Sequence, residues 1–176
     1  MNILFLDIDG VLQPYDAECR FMHPDKSIIQ RLSNKYNTDY SIYDEYDVFA
    51  VYYDWDIQAV SRLRYILDST DSKIIVSSDW RSKKFPNLMK DLLKIQGLDN
   101  YYYCDNTILP REQLYDTLYT IRSREINDSL QKYNIDNFVV LDDWKEMEEF
   151  FPNHSVITHN VISNDNMTKC IRILKR

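Results

Sequence analysis

The sequence predicts an α/β protein in which a central parallel sheet lies between two layers of helices. Short segments rich in Ile, Val, Leu and Phe recur along the chain without polar alternation, as expected of strands that are buried on both faces. Segments with apolar residues at helical spacing separate them, and this alternation favours a parallel, three-layer arrangement. The 176 residues contain no internal repeat and no low-complexity linker, so we expect a single domain spanning residues 1–176.

Each predicted element follows from a local pattern. Strands are predicted at residues 2–8, 73–76, 137–141 and 155–158, with a weaker candidate at 101–104. Helices are predicted at residues 28–36, 57–67, 88–95, 121–133 and 166–175. Asp56 is the expected N-cap of the second of these helices. Pro86 in the opening turn and Gly97 just past the end are expected to bound the third.

The composition narrows the classes of partner and compartment. A net charge of −7 and a pI near 4.9 argue against a surface built to bind nucleic acid by counterion release, although a local basic groove is compatible with them. The three cysteines are far apart and form no metal-binding or disulfide pattern. The short apolar segment at the N-terminus lacks the basic flank of a signal peptide, and no segment reaches the roughly 18 apolar residues of a membrane span. We therefore expect a cytoplasmic protein with reduced thiols and no membrane contact.

The first predicted strand ends in an unusual pair of acids. In the sequence FLDIDGVL, Asp7 and Asp9 stand one residue apart and Gly10 follows at once. Two carboxylates at the end of a buried strand repel each other and lose hydration, which a fold tolerates where a cation or a reaction uses them. The alternative interpretation is a solvated turn in which Asp and Gly serve the geometry. Because the chain has only two glycines, the position of this one favours a specific requirement.

Polar residues also follow the other predicted strands. In a parallel α/β sheet the carboxyl ends of the strands meet at one edge, where ligands bind. Taken singly, each polar group is weak evidence, since adjacent serines or acids usually form turns and an arginine pair on a helix is usually solvated. Their order along the chain indicates a shared site: Asp7 and Asp9, then Ser77 and Ser78, then Arg122 and Arg124, then Asp142 and Asp143.

These residues carry a resemblance to the haloacid dehalogenase (HAD) superfamily. DIDGVL is similar to its first motif, IIVSS to its second, RSREI to its third and VVLDD to its fourth. The wider pattern of SSDWR, RSREI and LDD resembles the HAD domains grouped with Swiss Army Knife RNA-repair-like proteins. The resemblance covers nearly the whole chain apart from a Tyr-rich segment. It implies a three-layer, Rossmann-like HAD fold with a parallel sheet of about five strands and a small cap inserted after the first strand.

The resemblance implies a Mg²⁺-dependent phosphatase. Asp7 would be the nucleophile that forms an aspartyl-phosphate, and Asp9 would protonate the leaving oxygen and later activate water. Mg²⁺ would be held by Asp7, the main-chain carbonyl of Asp9 and Asp143, with Asp142 supporting this cluster. Oxygen donors without His or Cys suit Mg²⁺ better than zinc.

The resemblance also implies a set of phosphate-binding residues. Ser77 would donate a hydrogen bond to a phosphoryl oxygen, with Ser78 as the alternative. Arg122, or else Arg124, would stabilise charge on the transferring group. Arg81 would hold a distal phosphate or stack on a base. The alternative for Arg81 is a surface ion pair, with its neighbour Trp80 in the core.

Residues 36–56 do not fit the strand–helix alternation, since they contain six tyrosines, six acids and no base. With the residues before them they form a predicted insertion, residues 13–56, between the first two core strands. One interpretation is an irregular surface element whose aromatic side chains pack on the core. The other is a small cap over the active site, in which acids repel polyanions and tyrosines contact a sugar or base.

The sequence thus predicts a phosphohydrolase that acts on a small phosphomonoester. A first alternative is a phosphatase of nucleic-acid ends, which would need a basic channel; the candidates for it are Arg62, Arg81, Lys83 and Lys84. The acidic Tyr-rich segment opposes a long polyanion, so nucleic acid is not favoured. A second alternative is a non-catalytic domain that binds a phosphorylated ligand or a protein partner. The intact pair of Asp7 and Asp9 argues against it.

Overall fold

The computed structural model describes residues 1–22, 25–110 and 117–176. Its centre is a sheet of five strands: β1 Asn2–Leu6, β2 Ser72–Val76, β3 Tyr102–Asp105, β4 Asn137–Asp142 and β5 Ser155–Ile157. All pair in parallel, in the order β3-β2-β1-β4-β5. This sheet confirms the predicted α/β class and all five predicted strands, including the weaker one. The first strand ends at Leu6 and is therefore shorter than predicted.

Helices cover both faces of the sheet. Those of the described residues are α1 Cys19–Met22, α2 Ser27–Tyr36, α3 Glu45–Phe49, α4 Ile57–Thr70, α5 Leu88–Ile95, α6 Leu118–Lys132, α7 Met147–Phe150 and α8 Asn164–Leu174. Short 3₁₀ turns lie at Tyr40–Ile42 and Asp99–Tyr101, and a π-helical turn lies at Ala50–Asp54. No helix in these ranges is long and apolar enough to cross a membrane.

Local sequence patterns predicted some of the helix ends correctly and others not. Asp56 is the N-cap of α4, as predicted, and accepts a hydrogen bond from the Ala59 amide at 2.6 Å. Helices α6 and α8 begin earlier than predicted, because Thr117 and Ser163 each form a capping box ahead of the apolar residues. Pro86 lies one residue before the N-cap of α5 rather than in its opening turn, so that prediction was wrong.

The sheet buries a different hydrophobic cluster on each face. Leu4 and Leu6 of β1 point into the larger cluster, which also receives side chains from α4, α5 and α8. Ile3 and Phe5 point to the opposite face and join a smaller cluster with Ile126 of α6. This alternation along β1 matters for the site, because it sets the direction of the residues that follow the strand.

The segment predicted as an insertion, residues 13–56, packs beside α5; its residues 23 and 24 lie outside the described ranges. Tyr40 and Phe49 are fully buried in the same cluster as Leu4 and Leu6. The Tyr40 hydroxyl donates to the Asp91 carbonyl at 2.8 Å, which satisfies its polar end. These aromatic side chains are therefore part of the hydrophobic core.

Candidate active site

Three polar side chains continue one face of the sheet beyond its carboxyl edge. On that face β1, β2 and β4 bury Phe5, Ile75 and Val140 against α6. Because side chains alternate along a strand, the residues two positions further on point to the same side. These are Asp7, Ser77 and Asp142, and all three are buried. The backbone ladder continues at this level, since the Asp7 amide donates to the Leu141 carbonyl at 3.0 Å.

Arg122 of α6 contacts three acids of this site. Its Nη1 lies 3.1 Å from the Oδ2 of Asp7 and 3.0 Å from the Oδ2 of Asp142, while its Nη2 lies 3.3 Å from the Oδ1 of Asp79. The guanidinium carbon lies 3.9 Å from the centroid of the Trp144 ring, a cation–π contact. Arg122 therefore contacts two of the predicted site acids, Asp7 and Asp142; Arg124, the alternative for the third motif, lies two residues further along the helix.

Burial dominates the electrostatics of these acids. It raises the pKa of Asp7 well above its usual range, and the neighbouring Arg122 opposes that shift. Burial likewise raises the pKa of Asp142, again against the influence of Arg122. A single guanidinium shared by two buried carboxylates leaves a local excess of negative charge. An added cation would relieve this excess and favour the ionised form of Asp7.

The acids of β1 and β4 could hold such a cation. Asp7, Asp142 and Asp143 each offer a carboxylate oxygen, and these oxygens lie within 4.8 Å of one another. The Oδ1 of Asp143 is buried and has no hydrogen-bond partner among the described residues, as expected of an atom built to contact a ligand. Carboxylate oxygens without His or Cys fit Mg²⁺. The geometry places Asp142 in the group itself, whereas the sequence predicted a supporting role.

Gly10 allows the chain to turn back over this cluster. Its φ of +67° is in the left-handed region that favours glycine, and a Cβ there would lie 2.8 Å from the Cβ of Asp143. The turn also brings Tyr15 over the cluster, so that its hydroxyl donates to the Oδ2 of Asp143. The glycine after the acid pair is therefore required by the close approach of the first loop to the fourth motif.

Asp9 lies at the exposed edge of the cluster, and Trp80 holds its carboxylate. The indole Nε1 of Trp80 donates to the Oδ2 of Asp9 at 2.9 Å. Desolvation by neighbouring protein atoms raises the pKa of Asp9, and the Trp80 hydrogen bond opposes that shift. The sequence predicted the position of Asp9 but not its partner. No local pattern relates these two residues, which lie 71 positions apart.

The two serines after β2 differ in their partners. The hydroxyl of Ser78 hydrogen-bonds to Asp7, which lowers the pKa of that acid. The Oγ of Ser77 is buried and has no hydrogen-bond partner among the described residues. The hydrogen-bonding capacity of the Ser77 hydroxyl is thus unused among the described residues.

Arg81 is engaged in the protein rather than open to a ligand. Its Nη2 donates to the Oε2 of Glu125 at 2.7 Å, its Nη1 to the Asn106 carbonyl at 3.1 Å, and its Nε to the Ser78 carbonyl at 2.5 Å. The pair with Glu125 is buried, so it is not the surface ion pair of the alternative interpretation. A phosphate-binding role for Arg81 would require this pair to break.

The insertion reaches the site at Asp9. Arg20 and Asp9 interact electrostatically, and Arg20 pairs with Asp54 at 2.8 Å. Asp47 of α3 is also affected by the charges of Asp9 and Arg20, and burial raises its pKa to about 6. Trp55, which follows the π-helical turn, has its ring 6.1 Å from that of Trp80. These residues of the insertion are therefore close to Asp9, the second acid of the first motif.

A parallel sheet with this strand order, an Asp-x-Asp-Gly turn after β1 and a buried arginine facing an acid pair at the end of β4 defines a HAD-type domain. Comparison with protein families assigns it further: the chain belongs to the HAD domains of Swiss Army Knife RNA repair proteins, whose family model matches residues 3–164. No curated protein and no solved structure matches the chain. The family supports a phosphohydrolase of the HAD type or a function in RNA repair, and it confirms the resemblance found in the motifs.

Proposed function

We propose that the protein is a Mg²⁺-dependent phosphatase that cleaves a phosphomonoester through an aspartyl-phosphate on Asp7. The observation that carries this proposal is the environment of the Asp7 carboxylate. Arg122 lies on one side of it, and the carboxylates of Asp142 and Asp143 lie within shared-ligand distance of it. The hydroxyl of Ser77, buried and without a hydrogen-bond partner among the described residues, follows the neighbouring strand at the same level. A nucleophile, a cation and a free donor are thus assembled where a phosphoryl group would sit.

Asp7, Asp142 and Asp143, together with the main-chain carbonyl of Asp9, are the groups that would hold Mg²⁺. When bound, the ion would neutralise charge on the carboxylates and the phosphoryl oxygens. The unpartnered Oδ1 of Asp143 supports this assignment, since a buried carboxylate oxygen without a donor is costly.

The residues then divide the reaction between them. An oxygen of Asp7 attacks phosphorus, and the bond from phosphorus to the leaving oxygen breaks. Asp9 donates its proton to that oxygen, so that the product leaves as a neutral alcohol. Arg122 and Ser77 stabilise the negative charge on the transferring group. Asp9 next removes a proton from water, which attacks the aspartyl-phosphate at phosphorus and restores the Asp7 carboxylate with release of phosphate.

The proposed substrate is a small, compact phosphomonoester, and residues 13–56 are proposed to act as a small cap. The supporting observation is the acidic α3 segment beside Asp9. Asp44 caps this helix, and the charge of Asp9 contributes to the raised pKa of Asp47. Negative charge at this place would repel a long polyanion.

A phosphatase of RNA ends is the second candidate, because the family description names RNA repair proteins. The two candidates differ in substrate and not in chemistry. A panel of nucleoside monophosphates, sugar phosphates and oligonucleotides with 3′- or 5′-phosphates, assayed at fixed Mg²⁺, separates them by kcat/KM. Preference for the oligonucleotides would reject the small-substrate proposal. A protein that releases phosphate from no member of the panel, and none from p-nitrophenyl phosphate, would instead be a binding domain.

A further inference from the structure

The turn after β2 is held rigidly by its own arginine. The Arg81 amide donates to the Ser78 carbonyl at 3.3 Å, and the Arg81 Nε donates to the same carbonyl at 2.5 Å. The Trp80 amide donates to the Ser78 hydroxyl at 3.4 Å. The guanidinium therefore folds back on the turn that carries Trp80 and holds the backbone of that turn.

Helix α6 fixes this turn through Glu125. One carboxylate oxygen of Glu125 accepts from Arg81 at 2.7 Å, and the other accepts from the Leu109 amide at 2.9 Å. The side chains of Arg81 and Glu125 are only 4% and 2% exposed, so neither charge is screened by water. Glu125 follows Arg122 by three residues and thus lies on the same face of the helix. One helix face therefore places Arg122 on Asp7 and anchors the turn that carries Trp80.

Trp80 connects this anchored turn to Asp9 through a hydrogen bond. Its Nε1 lies 2.9 Å from one carboxylate oxygen of Asp9, whose side chain is otherwise at the exposed edge of the site. A hydrogen bond to one oxygen fixes the rotation of the carboxyl group and leaves the other oxygen to carry the catalytic proton. An exposed Asp without this contact would sample several rotamers.

We infer that Glu125, Arg81 and Trp80 are positioning residues that hold the Asp9 carboxyl group toward the leaving oxygen of the substrate. The inference rests on the proposed phosphatase function and adds residues to it. None of the three needs to touch the substrate. Their effect on kcat/KM appears in protonation of the leaving group, because Asp9 acts on water only after that group has left.

Leaving groups of different basicity test this role. Phenyl phosphate releases a poor leaving group that needs protonation, whereas p-nitrophenyl phosphate releases a good one that does not. We expect Trp80→Phe, which keeps an aromatic ring but removes the donor, to lower kcat/KM for phenyl phosphate about tenfold more than for p-nitrophenyl phosphate. A merely structural role would lower both by the same factor.

Trp55→Phe is the matched control. The ring of Trp55 packs near that of Trp80, but its Nε1 has no hydrogen-bond partner in the described part of the chain. This variant removes an equal volume from the same aromatic pair without removing a donor to Asp9. It should change the two substrates equally. If Trp55→Phe showed the same selective loss, the Trp80 hydrogen bond would not be its cause, and the inference would be overturned.

The link from Glu125 and Arg81 to Trp80 has a readout that needs no turnover. Arg81→Lys keeps the charge beside Glu125 but loses the planar fork that also binds the Ser78 and Asn106 carbonyls. We expect faster solvent exchange of the Trp80 indole N–H by NMR, with the indole of Trp144 unchanged. Equal exchange in Arg81→Lys and wild type would overturn that link.

The kinetic outcomes separate the inference from the phosphatase proposal. If the wild type turns over both substrates and Trp80→Phe loses activity equally on both, the inference is overturned while the phosphatase proposal stands. Absence of wild-type turnover would overturn both.

Discussion

The Nη1 of Arg122 lies 3.1 Å from the Oδ2 of Asp7, and both groups are almost fully buried. The same nitrogen lies 3.0 Å from Asp142, so one positive charge faces two buried negative charges. Burial of an unmatched carboxylate is unfavourable, and the structure retains it at the edge of the sheet where ligands bind. The cost is understandable if a cation completes the site and if Asp7 must be available as a nucleophile.

Replacement of the proposed nucleophile should separate activity from stability. Asp7→Asn is nearly isosteric but cannot attack phosphorus, so we expect turnover to be abolished. Since burial raises the pKa of Asp7, its ionised form is unfavourable in the folded protein at neutral pH. The melting temperature without metal should therefore rise in Asp7→Asn. The exposed Asp16→Asn is the control and should change neither quantity. Wild-type activity in Asp7→Asn would exclude the covalent mechanism.

Removal of divalent metal should stop turnover and destabilise the protein. We expect activity to vanish in EDTA and to return with Mg²⁺, while Ca²⁺ replaces it poorly because its coordination shell is larger and less rigid. Mg²⁺ should also raise the melting temperature, since binding to the folded state alone stabilises it. In Asp143→Asn this thermal shift should shrink. Full activity in chelator would remove the metal from the mechanism.

The shared arginine gives a pH-dependent prediction. Arg122→Met leaves two buried carboxylates without their cation, which should cost about 3–5 kcal/mol in the free energy of unfolding at neutral pH. The raised pKa values of Asp7 and Asp142 mean that the folded state binds protons more readily than the unfolded state. Because the pKa of Asp142 is raised to about 6 and that of Asp7 is raised as well, lowering the pH through about 6 protonates these acids in the folded protein, so the loss of stability should shrink there.

Urea denaturation of Arg122→Met at several pH values measures this effect. Arg64→Met is the control, because Arg64 is exposed and lies outside the site. It should show a small loss that does not depend on pH. A loss of stability for Arg122→Met that stayed constant from neutral to acidic pH would show that the two carboxylates are not the groups that Arg122 compensates. Turnover should also fall by about 10²–10³-fold, since a donor to the transferring group is lost.

The acidic segment beside Asp9 gives a test of substrate choice. We expect the triple change Asp44→Asn, Glu45→Gln and Asp47→Asn to improve turnover of phosphorylated oligonucleotides much more than that of p-nitrophenyl phosphate. Asn at position 44 retains an N-cap for α3. Because the pKa of Asp47 is raised to about 6, part of its effect should already be lost when the wild type is assayed at acidic pH.

The control for this triple change is an equal loss of charge at the other end of the sheet. Asp68, Asp71 and Asp136 line a broad depression there together with Asn2, at the start of β1. Replacing these three acids by Asn alters the net charge by the same amount far from Asp9. If both triple variants improve oligonucleotide turnover alike, overall charge is the cause and the proposed cap has no part in substrate choice.

Much of the sheet and the acid cluster was predictable, because both depend on local patterns. Apolar segments without polar alternation predicted all five strands, and the carboxyl ends of parallel strands necessarily bring Asp7, Ser77 and Asp142 to one edge. The family motif pointed to Arg122, or else Arg124, and Arg122 contacts Asp7 in the structure.

The partners of these residues were not predictable, because they come from distant parts of the chain. Arg81 and Glu125 are 44 residues apart, and nothing in the sequence around Arg81 distinguishes a buried ion pair from a phosphate ligand. The contact of Tyr15 with Asp143 depends on the left-handed turn at Gly10, which the sequence indicated only as a sharp exit from the strand. Both contacts depend on the tertiary structure and not on the local sequence.

The central claim is that Asp7 becomes phosphorylated during turnover. The most direct measurement is mass spectrometry of peptides from protein mixed with Mg²⁺ and p-nitrophenyl phosphate and quenched in acid within the first turnovers. We expect one added phosphoryl group on the peptide that contains Asp7, and none in Asp7→Asn or in EDTA. Steady turnover by the wild type without phosphate on that peptide at any quench time, together with turnover by Asp7→Asn, would contradict the proposed mechanism.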